Sequence, residues 1–164
     1  TNYDHTISYS LPVKPSPNLP NDQAINLYPS LCFFEGTNVN AGRGTNKQFQ
    51  VFGSPFLNKA VFDYNYTPQS MEGAKSPKHL GKLCYGKNLQ NYPKTDRINL
   101  SWLIEAYNNT SDKSQFFNSF FTKLAGTTEL QKQIENGLSE EQIRETWQKN
   151  LEKFKTDRAK YLLY

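Results

Sequence analysis

Residues 34–45 read FEGTNVNAGRGT, a polar segment with glycine at positions 36, 42 and 44. An apolar run, LCFF (31–34), precedes it, and a second, FQVF (49–52), follows it. A polar, glycine-rich loop between two apolar runs is typical of a binding loop that a rigid scaffold holds in place. Glycine permits positive φ and lets the backbone approach a ligand closely. We refer to residues 34–45 as the glycine-rich loop.

The polar residues of this loop indicate the kind of ligand it can take. Its asparagines, Glu35 and Arg43 offer planar hydrogen-bonding edges, which suit a polyhydroxylated or anionic small molecule. The GRGT string is not a P-loop, because no Gly-Lys-Ser/Thr ending follows it. The alternative is a long hairpin connection that binds nothing.

The whole chain fits one domain, because 164 residues can bury a sizeable core. No apolar run approaches the ~20 residues of a membrane span, and no secretory signal is recognisable. The net charge of +4 is spread along the chain, with its densest run at 75–87. We interpret that run as a solvated sheet edge rather than a nucleic-acid site, and we expect no nucleic-acid partner.

Cysteines and histidines give weak signals for chemistry. Cys32 and Cys84 either pair, closing a long loop, or remain two separate buried thiols. His5 and His79 lie in loop-like contexts and are interpreted as surface residues rather than catalysts. Neither residue type forms a metal-binding pattern, so we expect no metal and no cofactor.

Hydrophobic periodicity favours strands in the first half of the chain. The predicted strands are 31–35, 48–53, 62–66 and 83–89. Short helices are expected at 22–27, ended by Pro29, and at 55–62, whereas 68–81 should be a loop. Residues 1–15 read as an extended lead-in, and the prolines at 15, 17 and 20 make a stiff connector that could present Asn18 as the wall of a site.

The second half of the chain favours helices. Apolar spacing predicts helices at 100–107, 116–124, 128–137 and 139–155. Capping boxes are expected at Thr128 and Ser139, and a packed face of the last helix should hold Ile143, Trp147, Leu151 and Phe154. The closing YLLY, 161–164, is too apolar to be left free in solvent. The predicted fold class is α+β, with a small mixed or antiparallel sheet from the first half and helices from the second half packed on it.

Glycoside hydrolysis usually needs two carboxyl groups that flank the bond to be cleaved. Glu35 ends an apolar run and is the candidate acid or base, although it could equally hold the loop by pairing with Arg43. Asp63, Glu72 and Asp96 follow along the chain, and none has a comparable setting. The sequence therefore looks like half of a catalytic site.

Four motifs occur in an order that resembles a known family. They are SPNLP (16–20), LYPSLCFFEGTNVNAGRGT (27–45), LCYG (83–86) and RAKYLLY (158–164). Together they resemble the C-terminal part of the bacterial exo-β-N-acetylmuramidase family, formerly a family of unknown function. The resemblance spans nearly the whole chain.

The resemblance implies that residues 1–164 form one domain of a longer, two-domain enzyme. A larger Rossmann-like domain would precede it, and the substrate cleft would lie between the two. The implied activity is release of terminal N-acetylmuramic acid from the non-reducing end of peptidoglycan fragments in the cell envelope, periplasmic or secreted. Because the main acid/base groups would lie on the preceding domain, this chain alone should be inactive.

The hydrogen-bonding groups of the glycine-rich loop fit such a sugar. Arg43 would clamp the lactyl carboxylate of the sugar, and neighbouring groups would bind its hydroxyl and acetamide oxygens. The full predicted substrate-binding set is Asn18, Gly36, Thr37, Asn38, Arg43, Gly44 and Thr45, with Glu35 as the catalytic candidate. Two alternatives are a carbohydrate-binding module without catalysis and an interaction domain whose loop is structural.

Overall fold

A three-stranded antiparallel sheet with helices around it forms the protein, as seen in a computed structural model that describes residues 7–162. In chain order the elements are α1 (Asp22–Leu31), a 3-10 helix (Cys32–Gly36), β1 (Val51–Ser54), β2 (Tyr64–Tyr66), β3 (Cys84–Asn88), α2 (Ser101–Asn108), a second 3-10 helix (Lys113–Gln115), α3 (Phe121–Ala125), α4 (Glu129–Glu135) and α5 (Glu140–Ala159). Within the described residues all three strands precede residue 89, and four of the five α-helices follow them. The α+β prediction is confirmed.

The sheet has the strand order β1-β3-β2, so β3 is its centre. Gly53 of β1 lies opposite Gly86 of β3. A Cβ atom on Gly86 would lie 1.6 Å from the carbonyl oxygen of Phe52, so only glycine fits this crossing. β1 begins at residue 51 rather than 48, because Phe49 has a φ of 52° in the turn before it.

Aromatic rings fill the centre of the core. Phe34 stacks on Phe52 of β1 at 4.7 Å between ring centroids, and Phe62 meets Phe52 edge-on at 6.0 Å. All three rings are fully buried. Gly36 packs directly on α3, because a Cβ there would lie 2.5 Å from the Cα of Phe121. The 3-10 helix before the glycine-rich loop is therefore clamped between β1 and α3.

The predicted strand at 31–35 is wrong, because these residues finish α1 and form the 3-10 helix. The side chain of Asn21 caps α1 by accepting a backbone N–H at 2.9 Å. The helix runs through Pro29 instead of ending before it, since Leu27 and Leu31 are both fully buried and hold the last turn against the core. A short apolar run does not distinguish a strand from a buried helix.

The predicted helix at 55–62 is also wrong. The N–H of Asn58 donates to the carbonyl of Asn109 at 2.9 Å, and the N–H of Ser111 donates to Phe56 at 2.8 Å. The backbone is thus paired with the segment after α2, which leaves turns rather than a helix.

The predicted helix at 116–124 forms only from Phe121 onward. The preceding residues pair with the glycine-rich loop instead: Asn38 N–H donates to Phe116 at 2.8 Å, and Asn118 N–H donates to Gly36 at 3.0 Å. Tertiary pairing therefore overrides the local helical spacing in this segment.

The two predicted capping boxes have different outcomes. Ser139 forms the full box with Gln142 at the start of α5, as predicted. Thr128 makes no capping bond, and the N–H of Glu129 donates to the hydroxyl of Thr127 at 3.1 Å instead. The α4 helix forms with Leu130 and Ile134 buried.

The packed face predicted for α5 is wrong beyond its first half. Ile143 is fully buried and Trp147 is half-buried, but Leu151 and Phe154 are 42% and 59% exposed. The helix also continues to Ala159 instead of ending near residue 155.

Other expectations concern cysteines, membrane spans and the termini. Cys32 and Cys84 are both free thiols, so they do not pair; Cys84 is buried as expected, whereas Cys32 is half-buried. Over residues 7–162, the helices are too short or too polar to cross a membrane. His5, the first part of the lead-in at 1–15 and the last two residues of 161–164 lie outside the described residues.

Candidate functional site

The glycine-rich loop is held rigidly from both sides. Asn40 and Gly53 exchange two backbone hydrogen bonds of 2.8 and 2.9 Å, which extends the pairing of β1 onto the loop. On the other side the segment at 116–118 pairs with residues 36–38. Asn40 also donates through its side-chain amide to the carbonyls of Arg43 and Lys78. These bonds fix the loop before any ligand arrives.

A cavity of about 300 Å³ opens between this loop and the loop at 68–81. Its lining residues come from these two segments: Glu35, Val39, Asn40, Ala41 and Arg43 on one side, and Gly73, Ala74, Lys75, Ser76, Pro77 and Lys78 on the other. The loop predicted at 68–81 is confirmed, and it forms the second wall of the cavity. The volume suits a small ligand such as one sugar ring.

Glu35 and Arg43 form an ion pair at the cavity, with 3.0 Å between Arg43 Nη1 and Glu35 Oε1. Arg43 Nη2 also donates to the carbonyl of Gly73 at 3.3 Å, which ties the two walls together. A guanidinium has five N–H donors, and the Arg43 side chain is 42% exposed. Donors therefore remain for an anionic ligand after both contacts are made.

Lys78 is a half-buried anchor that the sequence did not predict. Its ammonium donates to the carbonyls of Phe34 at 3.0 Å and Val39 at 2.9 Å, and also to that of Thr37. All three ammonium N–H groups are used in this way. Burial lowers the pKa of Lys78 to about 8, and the nearby Glu35 carboxylate opposes that shift. The interpretation of 75–87 as a solvated edge is therefore wrong at Lys78.

His79 makes a second tie between the two loops. Its Nε2 lies 2.6 Å from the carbonyl oxygen of Asn38, so Nε2 carries the proton and donates. The residue adopts a φ of 61° and is half-buried, with its ring edge-on to Phe56. Burial lowers the pKa of His79. The expectation of a surface histidine holds only in part, because this side chain has a structural contact.

The charges around the cavity favour an anion. Its lining holds three cations, Arg43, Lys75 and Lys78, and one carboxylate, Glu35, which gives a formal net charge of +2 (3 − 1). Because the three donors of Lys78 are used on carbonyls and Lys75 is exposed, Arg43 is the cation with both a fixed position and free donors.

Two predicted threonines have local structural bonds. The hydroxyl of Thr37 donates to Phe34 at 2.9 Å and accepts from the N–H of Val39 at 3.0 Å. The hydroxyl of Thr45 donates to Gly42 at 2.7 Å and accepts a backbone N–H at 2.9 Å. Both side chains stabilise turns of the loop and lie outside the cavity lining.

The remaining predicted residues also lie outside the cavity lining. Gly44 has a φ of 83° and packs against Pro77, and Gly36 packs against α3. Asn18 donates its amide to Gly73 at 3.0 Å and so supports the second wall. The amide of Asn38 is buried without a hydrogen-bond partner in the described structure. The structure thus brings Glu35 and Arg43 together at the cavity, and the binding roles of all eight residues stay predictions.

One carboxylate does not complete a typical glycosidase site. Such a site needs two carboxyl groups, roughly 5–10 Å apart. Among the described residues, the cavity lining contains one carboxylate, that of Glu35. Asp63, Glu72 and Asp96 are not part of the lining.

Comparison with known proteins places the chain in a family. The family described as exo-beta-N-acetylmuramidase NamZ, C-terminal, matches residues 26–164. The chain belongs to this family. It is 33% identical to the peptidoglycan beta-N-acetylmuramidase NamZ of Bacillus subtilis, over 93% of this chain and 40% of that protein. The chain therefore spans less than half the length of this curated relative.

A solved structure supports the fold in detail. A DUF1343 family protein from Bacteroides fragilis is 48% identical in sequence and superposes with a TM-score of 0.92. The match covers 99% of this chain and 47% of that one. The resemblance inferred from the four motifs is confirmed at the level of the family.

Proposed function

We propose that this chain is the C-terminal, substrate-binding domain of an exo-β-N-acetylmuramidase of the bacterial cell envelope. It would grip a terminal N-acetylmuramic acid of a peptidoglycan fragment, and a preceding domain would supply the main acid/base groups. The observation that carries the proposal is the Glu35–Arg43 pair at the mouth of a cationic cavity. The relatives' length and the single lining carboxylate support a cleft shared between two domains.

The chemistry of the sugar explains the use of Arg43. N-acetylmuramic acid differs from N-acetylglucosamine by a lactyl group that ends in a carboxylate. A guanidinium held by Glu35 and Gly73 meets that carboxylate with little loss of side-chain freedom. The cavity would therefore recognise the lactyl carboxylate, the group that distinguishes N-acetylmuramic acid from N-acetylglucosamine.

The first test compares both sugars in the full-length protein. Arg43→Ala should raise KM for a chromogenic N-acetylmuramide by about tenfold or more, the usual loss for a charged hydrogen bond. KM for the matching N-acetylglucosaminide should change little. Lys82→Ala, an exposed cation outside the lining, is the control and should leave both values unchanged. An equal rise for both sugars with Arg43→Ala would reject the clamp.

Glu35 is proposed to orient Arg43 rather than to transfer a proton. Glu35→Gln keeps the size of the side chain but weakens the ion pair. We expect KM for the muramide to rise and kcat to fall less than about tenfold. A fall in kcat of about 10²–10⁴ with KM unchanged would instead make Glu35 the general acid or base.

A further inference from the structure

The face of α5 that is buried in the domain continues beyond it as an exposed apolar stripe. At helical spacing, Ile143 is fully buried, Trp147 is half-buried, and Leu151 and Phe154 are 42% and 59% exposed. After the helix ends, Tyr161 and Leu162 are also 74% and 47% exposed. We call residues 147, 151, 154, 161 and 162 the α5 stripe.

The length of α5 takes the stripe away from the domain. The helix has 20 residues and is therefore about 30 Å long. Its buried residue, Ile143, lies in the first turn. Every residue from 148 to 162 is exposed. An isolated helical segment of this length gains little stability in water, so such a helix normally packs its apolar face on another surface.

Charge disfavours a second copy of the chain as the covering surface. Residues 147–162 carry five bases, Lys149, Lys153, Lys155, Arg158 and Lys160, against two acids, Glu152 and Asp157. Two stripes face to face would bring these basic segments together, and the chain as a whole is also positive.

The relatives indicate what covers the stripe. This chain spans 40% and 47% of the two relatives, and the family description calls the matched part C-terminal. More than half of each relative lies outside the match. A preceding domain of this size would offer a large surface on which the stripe could pack.

We infer that the α5 stripe docks on the preceding domain of the same polypeptide, against an apolar patch with an acidic rim. This inference rests on the two-domain organisation proposed above. It adds that α5 fixes the second domain relative to the cavity. In this arrangement Leu151 and Phe154 are the central contacts, and Lys155 and Arg158, each one helical turn further along, pair with the rim.

Hydrogen–deuterium exchange of the full-length protein tests the docking. The amides of residues 148–162 should be protected, and Leu151→Gln with Phe154→Gln should raise their exchange at least tenfold. Protection should fall in the same variant on a surface of the preceding domain. The control, Lys149→Gln with Thr156→Gln, changes the opposite face of the same turns and should leave both regions protected. Exchange of the wild-type segment at the unprotected rate would overturn the proposal.

Photo-crosslinking gives a second measurement that does not depend on the folding of the glutamine variant. A p-benzoylphenylalanine placed at Phe154 should crosslink within one polypeptide to the preceding domain, whereas the same group placed at Thr156 should not. Crosslinks between two polypeptides would show a second copy on the stripe and refute the assignment. Neither experiment measures hydrolysis of a muramide. The docking proposal and the proposed function can therefore be confirmed or refuted independently.

Discussion

At the scale of single residues, Lys78 does more to shape the cavity than its position in a lysine-containing run suggested. Its ammonium donates hydrogen bonds to three carbonyl oxygens, which belong to residues on both sides of Glu35 in the sequence. Sequence could not reveal this, because the carbonyls lie about 40 residues away and lysine is usually exposed. Glu35 and Arg43, in contrast, could be predicted as a pair, since they lie in one short loop.

Loss of the Lys78 ammonium should destabilise the fold. Lys78→Met keeps the aliphatic stem but leaves buried carbonyls without donors, so we expect a loss of about 2–4 kcal/mol in the free energy of unfolding. Urea denaturation with an unchanged m-value measures it. Lys82→Met, at an exposed position, should cost less than about 0.5 kcal/mol. A Lys78→Met protein as stable as the wild type would show that the three bonds contribute nothing.

The His79 contact should make stability depend on pH. Burial lowers the pKa of His79, so below about pH 6.5 the unfolded chain takes up a proton that the folded chain does not. Unfolding is then favoured, and stability should fall as the pH drops from 7.5 to 5.5. Denaturation at both pH values should show a smaller loss in His79→Gln. An identical pH dependence in the variant would assign the effect to other groups.

At the scale of elements, local patterns predicted what local contacts decide. The Ser139 capping box and the helix over 101–108 depend on neighbouring residues, and both form. The wrong predictions, at 31–35 and 55–62, concern segments whose backbone or side chains meet distant partners. Periodicity carries no information about such partners.

Within the sheet, the crossing of Gly53 and Gly86 should tolerate no side chain. Gly86→Ala places a methyl group 1.6 Å from the Phe52 carbonyl oxygen, so the two strands must move apart. We expect the free energy of unfolding to fall by about 3 kcal/mol or more. Gly81→Ala is the comparison, because a Cβ there meets nothing within 4 Å and only its φ of 72° is unfavourable, at about 1–2 kcal/mol. Thermal or urea unfolding ranks the two variants. Equal losses would mean that backbone conformation, not contact, is the constraint.

At the scale of the whole molecule, the cavity is a preformed feature of the fold. The loop, its pairing with β1 and the ties through Asn40, Arg43, Lys78 and His79 hold the cavity in shape without a ligand. The α+β class and the family could be predicted from the sequence. The cavity could not, because its second wall is a loop at 68–81 with no strong pattern of its own.

The central claim is that this cavity holds the muramic sugar by its carboxylate. A crystal structure of the full-length protein with N-acetylmuramic acid tests it most directly. We expect a lactyl carboxylate oxygen within about 3 Å of the Arg43 guanidinium, with Glu35 still paired to Arg43. A sugar bound elsewhere, or with its carboxylate turned away from Arg43, would contradict it.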